Sequence, residues 1–215
     1  LGVTDGDRMI DFLVAHTSTA RFVSTKMLRW LLRYDPTESQ IAAVASTYSR
    51  TGGDIPSMVR AILTPANLTA TPPKYRRPYS FMLAALRATN PSVARIGQLT
   101  GRWLTTVGQS IGAWGPPDGY PDRADYWAGG VLPRWNFASY LTTNTADVVV
   151  DINRFMASPT PEGVLDAIGS ALFAGEMPDR LRGQLRTYLN AGTLNQARVR
   201  ETLALALGSS TFQWI

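Results

Sequence analysis

Residues 108–136 read GQSIGAWGPPDGYPDRADYWAGGVLPRWN, and they differ from the rest of the chain because they follow neither a helical nor a strand period. The segment places five large aromatic side chains among glycines, prolines and acids: Trp114, Tyr120, Tyr126, Trp127 and Trp135. A structureless run of this length in a compact domain is usually functional or disordered, and the aromatic content argues against disorder. We therefore expect one long ordered loop, over about 108–133, that carries the functional surface.

Apolar residues on both sides of this loop recur every three or four positions, which predicts a series of amphipathic helices. The strongest pattern covers 18–34, where an apolar stripe that includes Trp30 predicts the central helix of the core. Capping residues agree with the periodicity, as in the Thr37–Gln40 capping box and in Gly53-Asp54, which ends one helix and caps the next. The sequence thus predicts an all-α fold, an irregular orthogonal array of about ten short helices in a single domain, 1–215.

Four segments carry specific expectations about local structure. Residues 64–78 are rich in proline and polar residues and are predicted to form a linker that is extended at Pro72 and Pro73. Helices are predicted over 91–107 and over 146–156, although the run of three valines at 148–150 also resembles a strand. Pro133 is predicted to occupy the first position of a helix over 134–141.

Composition limits the classes of function. The net charge is +5, but the basic residues are spread along the chain and the only tight cluster is Lys74, Arg76 and Arg77, so we expect no nucleic-acid binding. No apolar run is long enough for a transmembrane helix. The chain has no cysteine, which excludes disulfides and thiol chemistry, and it contains no nucleotide-binding glycine motif; no cofactor and no metal site are expected.

The candidates for chemistry are one histidine and three loop acids. His16 could act as a base or a lone ligand, or simply cap the helix that follows it. Asp118, Asp122 and Asp125 could bind a cation or act as acid and base on a glycosidic bond; alternatively, they stabilise a solvated turn, because Pro-Asp-Gly favours turns by itself.

The aromatic residues of the loop have two possible roles. They could fold back onto the helices as an apolar plug, or some of them could lie exposed and stack on sugar rings or other flat ligands. We expect Trp127 and Trp135 to point inward and Trp114 and Tyr120 to lie at the surface. The predicted ligand-binding residues are Trp114, Tyr120, Tyr126, Trp127 and Arg134.

Several segments together resemble the bacterial domain-of-unknown-function 1800 family. The resemblance rests on HTSTARF at 16–22, RTGGD at 50–54, the run that holds GQ, GPP, GYP and RWNF between 108 and 137, and LALGSSTFQW at 205–214. It covers nearly the whole chain, with Tyr120 where the family usually has tryptophan. The family supplies no established activity. It implies that this chain is the C-terminal portion of a longer, mainly helical, exported bacterial protein.

From these observations we expect a non-catalytic binding or assembly module of an exported protein. Its contact surface would be the aromatic loop, and its partner a polysaccharide or another protein. The alternative is a hydrolase that acts on a polysaccharide or its substituents through the loop carboxylates. An enzyme should bring at least two carboxylates, or one carboxylate and His16, within reach of a common substrate atom.

Overall fold

The computed structural model describes residue 2 and residues 4–215, and it confirms the all-α prediction. The described residues form twelve α-helices and one two-stranded antiparallel sheet. The helices are α1 Asp5–Ala15, α2 Thr17–Leu31, α3 Glu38–Thr51, α4 Ile55–Ile62, α5 Pro65–Ala70, α6 Pro78–Thr89, α7 Leu104–Thr106, α8 Ala124–Trp127, α9 Val131–Thr142, α10 Pro161–Phe173, α11 Asp179–Asn190 and α12 Gln196–Gly208. The strands are β1 Ser92–Val93 and β2 Val148–Val149.

The chain divides into two compact units, one up to Lys74 and the other Tyr75–Ile215. Each unit has its own cluster of buried apolar side chains. The first cluster is formed by α2, α3 and α4, and the second by α6 and the helices that follow it. Organisation as a single domain stays a prediction.

In the first unit, α2 packs on α3 and α4 with the face that carries Ala20, Ser24 and Leu28, which are buried at a spacing of four residues. The predicted helix is present and contributes to the core, but one residue of its predicted stripe is placed differently. Trp30 is 62% exposed, because it lies outside the arc centred on Ala20, Ser24 and Leu28. The expectation that Trp30 is a core residue is therefore wrong.

The predicted caps at the start of α3 and at the junction of α3 with α4 are confirmed. Thr37 and Gln40 form the reciprocal hydrogen bonds of a capping box at the start of α3. Gly52 and Gly53 both have positive φ, at 64° and 84°, and the Asp54 carboxylate accepts a hydrogen bond of 2.8 Å from the Ser57 amide. These contacts explain why α3 ends and α4 begins within three residues.

The linker predicted over 64–78 contains a helix, which is a correction. The Thr64 hydroxyl accepts a hydrogen bond from the Asn67 amide, and Pro65 takes the first position of α5, where a missing N–H has no cost. The helix ends at Ala70, and residues 72–74, which include the two prolines of the predicted linker, have no regular secondary structure.

The second unit is built around the ring of Phe81 in α6. This ring makes edge-to-face contacts with Phe137 of α9, at 6.0 Å between ring centroids, and with Phe212 near the end of the chain, at 5.8 Å. Trp103 also contacts Phe137, at 5.6 Å between ring centroids. The most extensive helix pairing in this unit joins α9 and α12.

The helix predicted over 146–156 is wrong, because its valines form a strand. Val148 and Val150 are fully buried, whereas Val149 is exposed, which is the two-residue period of a strand. Asn144 has φ 58°, and its side chain accepts a hydrogen bond from the Val150 amide, so the chain turns where the helix was predicted to start. Ile152–Phe155 then forms a single 3-10 turn.

The helix predicted over 91–107 begins later than expected. Ser92 and Val93 pair with β2, and the chain becomes helical only from Ile96. Gln98–Trp103 has π-helical hydrogen bonding and leads directly into α7.

The helix predicted over 134–141 begins earlier than expected, because α9 starts at Val131. Pro133 therefore occupies the third helical position and not the first. A proline is still tolerated there, because the first amides of a helix have no helical acceptor.

An ion-pair cluster links α10 to α11 and gives a prediction for pH dependence. Glu162 accepts hydrogen bonds from the guanidinium groups of Arg186 and Arg182, which lower the pKa of Glu162 to about 2 from its usual 4.5. Because the folded pKa is the lower one, this stabilisation is complete above pH 4.5 and is lost as the pH falls towards 2.

We therefore expect the difference in melting temperature between the wild type and Glu162→Gln to be constant above pH 4.5 and to shrink towards zero near pH 2. Thermal melts followed by circular dichroism at closely spaced pH values measure this difference. Glu176→Gln, which changes an exposed glutamate outside the cluster, is the control and should show no such trend. A Glu162→Gln difference that does not change with pH would contradict the assignment.

Candidate functional site

The loop is shaped by glycines with left-handed backbone conformation. Gly108, Gly112 and Gly119 have φ of 92°, 69° and 75°. Residues other than glycine rarely adopt a positive φ. These three glycines therefore allow the backbone to reverse direction and make the segment irregular. Between α7 and α9 the only regular element is the single turn α8, which places Tyr126 and Trp127 next to each other.

Four aromatic side chains of the loop contact one another, and we call them the ring cluster: Trp114, Tyr120, Tyr126 and Trp127. Their ring centroids are 5.0 Å apart for Trp114 and Tyr120, 5.7 Å for Tyr120 and Trp127, 4.7 Å for Tyr126 and Trp127, and 6.1 Å for Trp114 and Tyr126. These separations are within the range of favourable aromatic pairs. The four contacts close a circuit, so each ring is held by two others.

Hydrogen bonds fix three of these rings to nearby parts of the loop. The indole N–H of Trp127 donates to the Pro121 carbonyl at 2.8 Å, and the Tyr120 hydroxyl donates to the Ser110 carbonyl at 2.8 Å. The indole N–H of Trp114 donates to the Asp118 carboxylate at 3.0 Å. The loop therefore has a small apolar core of its own, in which the polar atoms of Trp114, Tyr120 and Trp127 are hydrogen-bonded.

The exposure of the rings agrees with part of the prediction. Trp127 is buried, at 5% exposure, and Tyr126 is 45% exposed. Trp114 and Tyr120 are half-buried, so neither is fully at the surface nor fully enclosed. Trp135, predicted to point inward, is 53% exposed, because it lies on the outer face of α9 with its indole N–H donating to the Gly208 carbonyl. That expectation is wrong.

The three loop acids have different partners. Asp118 accepts from Trp114, Asp122 pairs with Arg77 at 2.8 Å, and Asp125 pairs with Arg123 at 2.7 Å. The hydrogen bond from Arg123 lowers the pKa of Asp125. Among the described residues, no group of three His, Asp or Glu side chains could hold a metal ion. Each of the three acids therefore has a different nitrogen partner, and a catalytic role for them stays a prediction.

His16 serves as a helix cap in the first unit. Its Nδ1 accepts a hydrogen bond from the Ser18 amide at 3.2 Å, which satisfies one of the first amides of α2. This is the simpler of the two roles considered for it. A base role would require the same nitrogen lone pair that the cap uses.

Arg134 is placed differently from a surface ligand-binding residue, because it is only 1% exposed. Its guanidinium donates to the Gln213 side-chain oxygen and to the Arg76 carbonyl, both at 2.7 Å. It also stacks over the rings of Tyr75, at 4.5 Å, and Phe81, at 5.2 Å. Burial lowers the pKa of Arg134, although Tyr75 opposes the shift. These contacts join three distant parts of the second unit.

A large cleft on the second unit was not predicted from the sequence. It has a volume of about 1190 Å³ and lies between α9 and α11, with one face of α12 as its floor. Trp135 stands at its edge, and Tyr188 and Glu201 share a hydrogen bond within it. The sequence of α12 contains an indication of this cleft. Ala197, Ala204 and Leu205 recur at helical spacing on a face of the helix that is not buried.

The arginines of the last helices are mostly engaged within the protein. Arg182 and Arg186 pair with acids of α10, as described above. Arg198 stacks on Tyr188, and Arg200 donates to the carbonyls of Thr142 and Val150. Such an arrangement offers few cations for a phosphate backbone, and the absence of nucleic-acid binding stays a prediction.

Within the described part of the chain, no helix is long and apolar enough to cross a membrane.

Comparison with known proteins gives one match. No curated protein and no solved structure matches the chain. A family model described as "protein of unknown function (DUF1800)" matches residues 2–214, which is nearly the whole chain. The GQ, GPP, GYP and RWNF segments that carried the resemblance lie in the loop of the ring cluster and at the start of α9. The chain therefore belongs to the DUF1800 family.

Proposed function

We propose that this chain is a non-catalytic binding module of an exported bacterial protein and that the ring cluster is its contact surface for a polysaccharide. The observation that carries the proposal is the closed circuit of ring contacts around a partly exposed Tyr126. Its location in an exported protein rests on the family resemblance alone.

Pre-organisation of the rings supports binding. A flexible aromatic loop would lose conformational freedom when a ligand orders it, and that loss weakens affinity. Here Trp127 is already enclosed, and Trp114 and Tyr120 are already tied by hydrogen bonds. The rings therefore need little further ordering to present their outer faces to a ligand.

The chemistry around the rings suits a ligand with many hydroxyl groups. Tyr126 offers an exposed ring and a phenol that can donate or accept hydrogen bonds. The exposed carboxylate of Asp125, one residue away, can accept hydrogen bonds from ligand hydroxyls in addition to its contact with Arg123. The apolar face of a sugar ring would contact the aromatic ring, and its hydroxyl groups would donate to the neighbouring acceptors.

The geometry gives less support to the alternative of a hydrolase. Two-carboxylate hydrolysis of a glycosidic bond needs two acids that face one point, about 5 to 10 Å apart. Asp118, Asp122 and Asp125 each bind a different nitrogen donor, as described above. The cleft on the second unit has a single carboxylate in its lining, that of Glu201.

Affinity electrophoresis in gels that contain a soluble neutral polysaccharide, with xylan, β-glucan and glycol chitin tried in turn, tests the proposal. We expect at least one of them to retard the wild-type chain and Tyr126→Ala to lose that retardation. Tyr79→Ala removes an equally exposed tyrosine from α6 and is the matched control, which should migrate like the wild type. Absence of retardation by every polymer, or equal retardation of Tyr126→Ala, would contradict the proposal.

A further inference from the structure

Helix α1 has an apolar face that nothing in its unit covers. None of its eleven residues is buried, and Met9, Ile10, Phe12 and Leu13 are all more than half exposed. The helix is anchored at its C-terminal end, where the carbonyls of Leu13 and Val14 accept hydrogen bonds from Thr19 and Tyr48. An amphipathic helix this short gains most of its stability from packing, so an uncovered apolar face indicates a docking element.

The cleft on the second unit has the shape of a groove for a helix. Its floor is one face of α12 from Ala197 to Gly208, a distance of about 16 Å at the rise of an α-helix. Leu205 adds to this floor an apolar side chain that is 48% exposed. The other residues of α12 that line it are small or charged: Ala197, Arg200, Glu201, Ala204 and Gly208. The walls, α9 and α11, stand on either side of it. A helix of three turns would lie along this floor between two walls.

The two surfaces match in length and in charge. Helix α1 has eleven residues and therefore also measures about 16 Å. It carries three acids, Asp5, Asp7 and Asp11, against one base, and Asp7 and Asp11 lie one turn apart along an edge of the apolar face. The cleft is lined by two bases, Arg180 and Arg200, and by one acid, Glu201, so its charged groups are positive in sum. Arg200 and Glu201 are hydrogen-bonded within the unit, whereas Arg180 is exposed and makes no ion pair within the described part of the chain.

We propose that this chain self-associates, with α1 of one copy bound in the cleft of a second copy. The apolar side chains of α1 would lie on Leu205 and the small residues of α12, and the acids at the edge of α1 would face Arg180. The contact is independent of the ring cluster, so self-association and polysaccharide binding can be tested separately.

Sedimentation velocity between about 1 µM and 1 mM, a range that covers weak to moderate affinities, measures the self-association. We expect the wild type to shift from monomer to a larger species as the concentration rises. Ile10→Glu on α1 and Leu205→Glu in the cleft should each weaken association at least about tenfold, because each places a charge in the apolar contact. Ile96→Glu, at an equally exposed isoleucine elsewhere, is the matched control.

Exchanging the charges of α1 and of the cleft tests whether these two surfaces bind each other. Arg180→Glu, and separately Asp7→Arg with Asp11→Arg, should each reduce self-association because like charges then meet. An equimolar mixture of these two variants should associate again, since each α1 then finds a cleft of opposite charge. All changed side chains are exposed, and circular dichroism of each variant serves as the check that it is folded. A wild type that stays monomeric throughout, or a mixture that does not associate, would overturn the proposal.

Discussion

Phe81→Ala is expected to destabilise the second unit by about 3–5 kcal/mol, because it removes a fully buried aromatic ring and leaves a cavity between α6 and α9. The lost ring contacts Phe137 and Phe212 and also lies under the guanidinium of Arg134. An effect of this size is a large part of the stability of an ordinary domain. Urea unfolding, followed by tryptophan fluorescence and circular dichroism, measures it.

The control for Phe81→Ala lies on the same helix. Tyr79 is exposed, and its backbone amide, which donates to the Gln109 side chain, is retained in Tyr79→Ala. We expect this variant to change the free energy of unfolding by less than about 1 kcal/mol. Similar losses for the two variants, or a loss below about 1 kcal/mol for Phe81→Ala, would show that Phe81 is not the centre of the core.

Trp127→Ala is expected to have the second large effect, an opening of the loop at 108–130. The indole is buried, contacts Tyr120 and Tyr126, and donates to the Pro121 carbonyl. Its loss should cost about 3–5 kcal/mol of local stability, since truncating a buried tryptophan removes apolar contact and leaves a cavity. Hydrogen exchange of the loop amides, measured by mass spectrometry, should show faster exchange over this segment.

Trp127→Phe separates packing from hydrogen bonding at this position. It keeps most of the apolar area and loses the indole N–H, so we expect an intermediate exchange rate. If loop exchange in Trp127→Ala matched the wild type, the ring cluster would not be what orders the loop.

The fold class and many caps could be predicted because they depend on local chemistry. The carboxylate of Asp54 and the positive φ of Gly53 are set by neighbours within four residues, and the structure confirms both. The placement of Trp30 could not be predicted in the same way. A wide apolar stripe leaves several faces of α2 available, and only the packing of α3 and α4 selects the face with Leu28.

The strand at Val148 and Val149 could not be predicted because it depends on a distant partner. Its partner, β1, is more than fifty residues away in the sequence, so the local pattern of apolar residues could equally fit a helix. Asn144 adopts a positive φ and turns the chain just before this strand. Tertiary pairing decided the structure of this segment.

The candidate site was predicted in location but not in detail. Its glycines, prolines and aromatic residues identified the loop, because such composition is typical of an ordered irregular segment. Which rings are enclosed depends on the contacts that the rings make with one another. The spacing of the aromatic residues in the sequence does not reveal those contacts. Arg134 and Trp135 are neighbours in sequence, yet their side chains lie on different faces of α9, one buried and the other at the edge of the cleft.

The binding surface can be tested against a purely structural role of the loop with the double variant Trp114→Ala and Tyr126→Ala. These rings are the partly exposed ones whose removal leaves Trp127 and the Tyr120 hydrogen bond in place. The decisive measurement is isothermal titration calorimetry of this variant with the polysaccharide that retards the wild type, together with its melting temperature. We predict a melting temperature within a few degrees of the wild type and a loss of affinity of about a hundredfold or more. Unchanged affinity, or a melting temperature far below that of the wild type, would contradict this prediction and make the loop a structural plug.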